Sequence, residues 1–318
     1  MAARLASRRH GGRVNAEPDG GIDRRLAALL HAAGIEGDFT VLARLGAGQH
    51  HLTFQLSTTR GLLVARLPGA VSAPAGRLAA ESTVQQVAAA VGLTPPRLWD
   101  DPVTGASLSP WREGEPLTPE TLRRPEVAAE VGALIGRLQA LPIDAPGPDL
   151  EQAARDYAAR LESAGVPGVA AATRDRRLAR LTALAEASQP RVNEARPAHG
   201  DLVANNLLRT PTGLQLIDWE YAGLAHPWWD PATVVSLHAL PPPAVRGLLA
   251  AAGMDPAVAE SPAFARMVEL VALLAWAWAG AEAAARPGDP RPRAWLDTIE
   301  ARLLDHDRAH RQGPGPEH

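Results

Sequence analysis

The chain has 318 residues and a mass of 33.5 kDa, room for one large or two modest domains with an ample core. Its net charge of −3 gives no general attraction to nucleic acid or to an anionic membrane, and its 32 basic residues are all arginine, which excludes a Gly-Lys-Ser/Thr phosphate loop. It has no cysteine, so disulfide frameworks and thiolate metal sites are excluded, and with no signal-peptide core the expected location is the cytoplasm.

Residues 1–20 are rich in Arg, Gly and Ala, lack a core pattern and are expected to form a disordered tail. Ile22 to Ala33 reads as a short helix. Residues 39–45 and 51–57 read as strands around a turn containing Gly46 and Gly48. Leu62 to Pro68 is an apolar strand with one charge, Arg66, inside it. A helical pattern then runs from Arg77 through Glu81, Val84, Val87, Ala88 and Val91. Pro110 to Leu117 is a Pro- and Gly-containing crossing. From Glu120 onward helices dominate, and Val127, Val131, Leu134, Ile135 and Leu138 make one apolar face. Residues 150–190 are amphipathic and rich in Ala and Arg. The stretch 197–224 interrupts the helices, which resume to about residue 311 before a polar tail at 312–318. The apolar run from Leu270 to Ala281 is too short to span a bilayer and reads as a buried helix.

The interrupting stretch carries the chemistry. It runs His199-Gly200-Asp201-Leu202-Val203-Ala204-Asn205-Asn206, then on to Ile217-Asp218-Trp219-Glu220. With Pro211-Thr212-Gly213 as a three-residue turn, Thr210 opposes Leu214, Leu208 opposes Leu216 and Asn206 opposes Asp218. Opposed pairs share a face of a hairpin. An amide oxygen and carboxylates are what Mg2+ coordinates beside phosphates, so this is a candidate phosphoryl-transfer site. By their chemistry, Asp201 would orient or deprotonate an acceptor hydroxyl, Asn206 and Asp218 would hold Mg2+, and Glu220 would hold a second ion through water or contact the acceptor. His199 is expected to hold the loop by hydrogen bonds.

His-x-Asp followed by Asn five residues beyond the Asp, then a metal-binding Asp after a hairpin, is the catalytic-loop pattern of kinases. His-Gly-Asp in place of His-Arg-Asp, and Ile217-Asp218-Trp219-Glu220 in place of Asp-Phe-Gly, resemble the aminoglycoside phosphotransferase and choline kinase superfamily. Leu216 to Gly223 is most similar to its bacterial choline kinase and thiamine kinase branches. The resemblance implies an α+β, protein-kinase-like fold: a small antiparallel-sheet lobe over 21–112 and a larger helical lobe over 113–311. It implies ATP as co-substrate with Mg2+. Arg66 then replaces the strand lysine that grips ATP phosphates, a role a guanidinium can fill bidentately. Glu81 matches its helix partner, and Gly46 and Gly48 the phosphate-covering loop, where His51 stands in place of the family's Asn. Residues 110–117 resemble the hinge whose backbone binds adenine. Asp230 resembles the Asp that anchors the catalytic loop.

The chain holds eight Trp against two Tyr and three Phe. Trp faces bind quaternary ammonium and other cations, so Trp228, Trp229 and Trp276 are candidates for an acceptor pocket. The expected function is phosphate transfer to a choline-, ethanolamine- or thiamine-like alcohol. An aminoglycoside or sugar kinase, and a catalytically inactive binding relative, are the alternatives. The acceptor is the expected partner, with no nucleic acid or membrane and no stated oligomeric state.

Overall fold

The computed structural model describes residues 20–47, 51–69, 75–190 and 193–311. The disordered tail expected before residue 20, Gly48 in the glycine turn, and the tail at 312–318 lie outside the described residues. Helix α1 (Gly20–Ala32) precedes strands β1 (Thr40–Ala47), β2 (His51–Thr58) and β3 (Gly61–Pro68). Helix α2 (Ala75–Ala90) leads to β4 (Trp99–Asp100) and β5 (Ser107–Pro110). These strands form one antiparallel sheet in the order β1-β2-β3-β5-β4.

Strand alternation decides which way Arg66 points. Leu63, Ala65 and Leu67 of β3 and Phe54 and Leu56 of β2 are buried, packing with Leu26, Leu29 and Leu30 of α1. Period two then puts Arg66 on the opposite face, across from Thr53 of β2 and Ser107 of β5. Helix α2 lies on that face. Its buried Ala80, Val84 and Ala88 belong to the larger core formed with the C-terminal helices, not to the core between sheet and α1.

The chain leaves the sheet at Pro110 and passes through β6 (Glu115–Pro116), which pairs with β8 (Leu207–Thr210). Helices α3 (Pro119–Leu122), α4 (Pro125–Gln139), α5 (Leu150–Ala164) and α6 (Ala171–Ala187) follow. All five apolar positions predicted for the α4 face are buried. Then come β7 (Arg196–Ala198), the β8–β9 hairpin with β9 (Gly213–Leu216), and β10 (Gly223–Ala225), which pairs with β7. Helices α7 (Trp229–His238), α8 (Pro242–Ala251), α9 (Pro262–Ala285) and α10 (Pro290–Arg311) complete the fold. Helix α9 is long and apolar enough to cross a bilayer by composition, yet 56% of its apolar window is buried inside the protein. The α+β architecture has a sheet-rich N-terminal region and a helical C-terminal region.

The β8–β9 hairpin departs from the predicted register. Its turn has two residues, Pro211 and Thr212, so Thr210 pairs with Gly213 and Leu207 with Leu216. Every pair is displaced by one from expectation. Asn206 therefore stands opposite Ile217, whose N–H donates to the Asn206 carbonyl at 3.0 Å. A one-residue slip would normally turn Asp218 to the other face of the ribbon. Asp218 instead leaves the extended conformation, with φ at 66°. This left-handed backbone is uncommon for a residue with a Cβ and is concentrated at functional sites. It returns the carboxylate to the side of Asp201.

Candidate active site

The loop after β7 is held from below by α7. Asp230, fully buried in the first turn of α7, accepts from the N–H of His199 at 2.8 Å and of Gly200 at 3.0 Å. Burial raises the Asp230 carboxyl to about 6, and the two backbone donors oppose that shift. The indole N–H of Trp229 donates to the Gly200 carbonyl at 3.0 Å. Gly200 has φ at 87°, and a Cβ there would fall 2.2 Å from the carbonyl oxygen of Tyr221. Only glycine lets the catalytic loop and the Asp218 segment approach so closely.

His199 is fully buried, and burial lowers its pKa to about 4. Its Nε2 lies 3.0 Å from the Ile217 carbonyl, which can only accept, so the neutral ring carries its proton on Nε2. His199 thus ties the loop to the hairpin. His238, near the end of α7, is another buried neutral histidine. Its Nε2 accepts from the Ala204 N–H at 3.0 Å, and its Nδ1–H donates to the Val234 carbonyl at 3.0 Å.

These supports bring Asp201, Asn206 and Asp218 together. The Asn206 amide donates to the Asp201 carbonyl at 2.9 Å and to its Oδ2 at 3.1 Å. Burial, then the charges of Asp218 and Glu220, raise Asp201 to about 7, with the Asn206 bond opposing. Asp218 is open to solvent but walled in by the cleft. That desolvation, then Glu220, raises it to about 6, while Arg66 opposes. Carboxylates that raise one another in this way favour a bound cation. Hard oxygen donors are available from Asn206, Asp218 and Glu220. Among the described residues no three His, Cys, Asp or Glu side chains close on one point, so the protein alone forms no complete cation cage.

The sheet side of the cleft supplies positive charge. Arg66 bonds both carboxylate oxygens of Glu81, which is 3% exposed. Arg97, just before β4, bonds the same Glu81 at 2.5 Å and reaches Asp100 at 3.5 Å. Sequence reading did not single out Arg97. No spacing signal marks it, because it meets Glu81 only after α2 and β4 are folded against each other. His51 was read only as a replacement for Asn. Its ring nitrogens lie 2.7 and 3.0 Å from Arg66 Nη2, and its Nδ1 lies 3.6 Å from a Glu220 carboxylate oxygen. Gly46 is in β1, opposite Thr53 at a register irregularity.

The tryptophans do not form one pocket. Trp276 is fully buried, with its N–H bonded to Glu300 at 2.6 Å and Arg177 over its ring at 5.3 Å. It has no face open to a ligand, which corrects its assignment to the acceptor pocket. Trp229 is buried beneath the catalytic loop. Trp228 is half-buried and meets Phe264 edge-on at 5.9 Å. Tyr221 was overlooked. It follows Glu220, is 37% exposed, and its hydroxyl is pushed up by burial and by Glu220, Tyr157, Asp201 and Asp218. Of the two tyrosines, Tyr221 lies beside the carboxylate cluster and Tyr157 lies near Tyr221.

The β8–β9 hairpin flanked by Asn206 and Asp218, with Asp201 beside it and the Arg66–Glu81 pair on the sheet side, has the architecture of a kinase-like phosphotransferase. The sequence model of the phosphotransferase enzyme family (APH) matches residues 41–270, and the chain belongs to that family. Among solved structures, it is similar to a choline/ethanolamine kinase family protein from Mesorhizobium loti. That pair is 26% identical with a TM-score of 0.66, covering 89% of this chain and 94% of the other. Choline kinase LicA from Streptococcus pneumoniae shares the fold at 15% identity and a TM-score of 0.66, covering 90% and 99%. A thiamine kinase of Escherichia coli is 50% identical over 46 residues, 14% of this chain and 17% of that protein. The match thus spans about a sixth of the length of the curated relative.

Proposed function

We propose that this chain transfers the γ-phosphoryl group of ATP, with Mg2+, to a hydroxyl of a small positively charged alcohol of the choline, ethanolamine or thiamine kind. The observation that carries this reading is the convergence of Asp201, Asn206 and Asp218 opposite the Arg66–Glu81 pair. Residues 21–112 serve as the nucleotide lobe and 113–311 as the catalytic lobe, with adenine bound by backbone groups near 110–117.

Asp201 orients the acceptor hydroxyl and takes its proton as the oxygen attacks the γ-phosphorus. The bond to the β–γ bridging oxygen breaks, and ADP leaves. Arg66, fixed by Glu81, binds phosphate oxygens through the guanidinium edge that Glu81 does not occupy, where His51 now contacts Nη2 and must yield to the phosphate. Asn206 and Asp218 would hold Mg2+ through hard oxygen atoms, and the ion would supply positive charge against that developing on the transferred phosphoryl group. Glu220 either binds a second ion through water or contacts the acceptor. His199, Asp230 and Trp229 keep the loop in place.

The choice of acceptor rests on the carboxylates gathered around the half-exposed ring of Tyr221, which suits a cation, and on the similarity to choline, ethanolamine and thiamine kinases. An ATP-consumption screen over choline, ethanolamine, thiamine, simple sugars and aminoglycosides tests it. Turnover confined to the cationic alcohols is expected. Turnover only with sugars or aminoglycosides sinks the acceptor assignment, and none with any acceptor, together with absent MgATP binding, sinks the kinase reading.

A further inference from the structure

Arg77 stands in the first turn of α2, and its guanidinium donates to two backbone carbonyls far away in sequence. Nη1 reaches Pro146 at 3.0 Å and Nη2 reaches Glu220 at 2.9 Å. Glu220 closes the Asp218-Trp219-Glu220 segment. Pro146 lies against the strand that follows it, bridging Leu224, while the Leu224 N–H donates to Ala145 at 2.8 Å. These two backbones touch through Gly147, where a Cβ would fall 1.9 Å from the Leu224 carbonyl oxygen. One guanidinium therefore pins two stretches of main chain, one of them two residues beyond Asp218.

The turn that follows α2 grips the same segment. The Leu216 N–H donates to the Leu93 carbonyl at 2.8 Å, and the Trp219 indole N–H donates to Thr94 Oγ1 at 3.0 Å. Between these ends, α2 buries Ala80, Val84 and Ala88 in the larger core. The helix that carries Glu81 is thus fastened along the hairpin exit. Asp218 sits inside this fastened stretch with φ at 66°, a conformation that persists only when neighbouring structure enforces it. Charge-assisted bonds from a guanidinium are suited to that task, and two parallel donors fix orientation as well as distance.

We propose that Arg77 is a positioning residue for the cation site: by holding the Glu220 carbonyl from α2, it fixes the backbone that aims Asp218. The proposal rests on the kinase reading above. It makes the helix bearing Glu81, the partner of Arg66, and the segment bearing Asp218 one mechanical unit. The nucleotide's phosphates and its metal ion then meet parts that are set relative to each other before either binds.

The test uses the full chain with Arg77→Met and Arg77→Lys, measuring ATP binding by calorimetry with and without Mg2+. Wild-type protein whose ATP affinity gains nothing from Mg2+ overturns the kinase reading, and with it the proposal. Given that gain, Arg77→Met is expected to weaken MgATP binding about tenfold and to change metal-free ATP binding by less than about twofold. Loss of both to the same degree assigns Arg77 to general packing and overturns the proposal, as does no loss of either. Should the Met variant fail to fold, Arg77→Lys keeps the charge without the fork. Its Mg2+ concentration for half-maximal binding is then expected to rise about threefold, and an unchanged value overturns the proposal.

Discussion

The side-chain amide of Asn206 donates to both the carbonyl and the carboxylate of Asp201, at 2.9 and 3.1 Å. Both amide protons face Asp201, which leaves Oδ1 as the Asn206 atom for a cation. One side chain thus fixes the distance between the carboxylate proposed to bind the acceptor and the oxygen proposed to bind the metal. The roles separate on mutation. Asp201→Asn is expected to lower kcat by about 10²–10⁴ while MgATP affinity stays within about twofold. Asp218→Ala should abolish the Mg2+ dependence of nucleotide binding. Steady-state kinetics paired with calorimetry check both, and near-normal kcat in Asp201→Asn would remove that residue from proton transfer.

Glu81 is shared by two arginines, so the ion pair on the sheet side is a triad. Removing the shared carboxylate leaves two largely buried guanidinium groups facing each other, with only Arg97 keeping a carboxylate, that of Asp100. Glu81→Gln is therefore expected to destabilise the fold by about 3 kcal/mol, since breaking a buried charged group away from its partners costs about 3–5 kcal/mol. Glu81→Gln combined with Arg97→Gln should cost less than the sum of the two single changes. Arg66→Ala should raise the ATP KM, and Arg66→Lys should recover part of it. Denaturant unfolding and ATP kinetics check these outcomes. Additive unfolding energies would mean that Arg97 and Glu81 are not coupled.

The two-lobed class and the hairpin were legible because they depend on local pattern. Period-two alternation through Leu63, Ala65 and Leu67 fixes the face of Arg66, and the α4 stripe is an uninterrupted helical pattern. The hairpin register was not legible. Pro211-Thr212-Gly213 is compatible with a two- or a three-residue turn, and Gly213, with φ at 121°, sits at the end of the turn as the partner of Thr210. The left-handed Asp218 offsets the slip, and nothing in its sequence neighbourhood marks that. Arg77, Arg97 and Tyr221 were equally silent, since their roles come from partners brought together only by folding. The tryptophans misled because residue type shows an affinity for cations but not whether the ring faces a cleft. Trp276 is sealed in the core by Glu300 and Arg177.

His238 gives a pH-dependent prediction. Its pKa is lowered from 6.5 to about 4, by burial first and then by Arg302, against a bond to Val234. A depressed folded-state value means that the unfolded chain binds the proton first as pH falls. The stabilising contribution of neutral His238 is therefore fully present above about pH 6.5 and is lost as pH drops toward 4. That contribution is at most about 3 kcal/mol. His238→Gln offers an acceptor to the Ala204 N–H without titrating. The Tm of wild type relative to this variant should be highest near pH 7.5 and fall steadily between pH 6.5 and 4.5. Parallel Tm curves over that range would show that His238 does not carry the effect.

The acceptor prediction now centres on Tyr221 in place of Trp276. Tyr221 is 37% exposed and lies beside Glu220, Asp201, Asp218 and Tyr157. A ring at the edge of a carboxylate cluster can hold an ammonium group over its face while the hydroxyl of the same molecule reaches Asp201. A cation over a desolvated aromatic face gains about 0.5–2 kcal/mol. Tyr221→Leu should therefore raise the KM for the cationic acceptor by about twofold to thirtyfold, with the ATP KM unchanged. Tyr221→Phe keeps the ring and should stay near wild type. Trp228→Leu is the comparison, because Trp228 is the remaining half-buried tryptophan of the original assignment. The decisive measurement is the ratio of kcat/KM for the cationic alcohol to that for its neutral isostere with the nitrogen replaced by carbon. Wild type should favour the cation, and Tyr221→Leu should lose most of that preference. If the ratio is near one in the wild type, or if Trp228→Leu removes the preference and Tyr221→Leu does not, Tyr221 does not supply the cation-binding face.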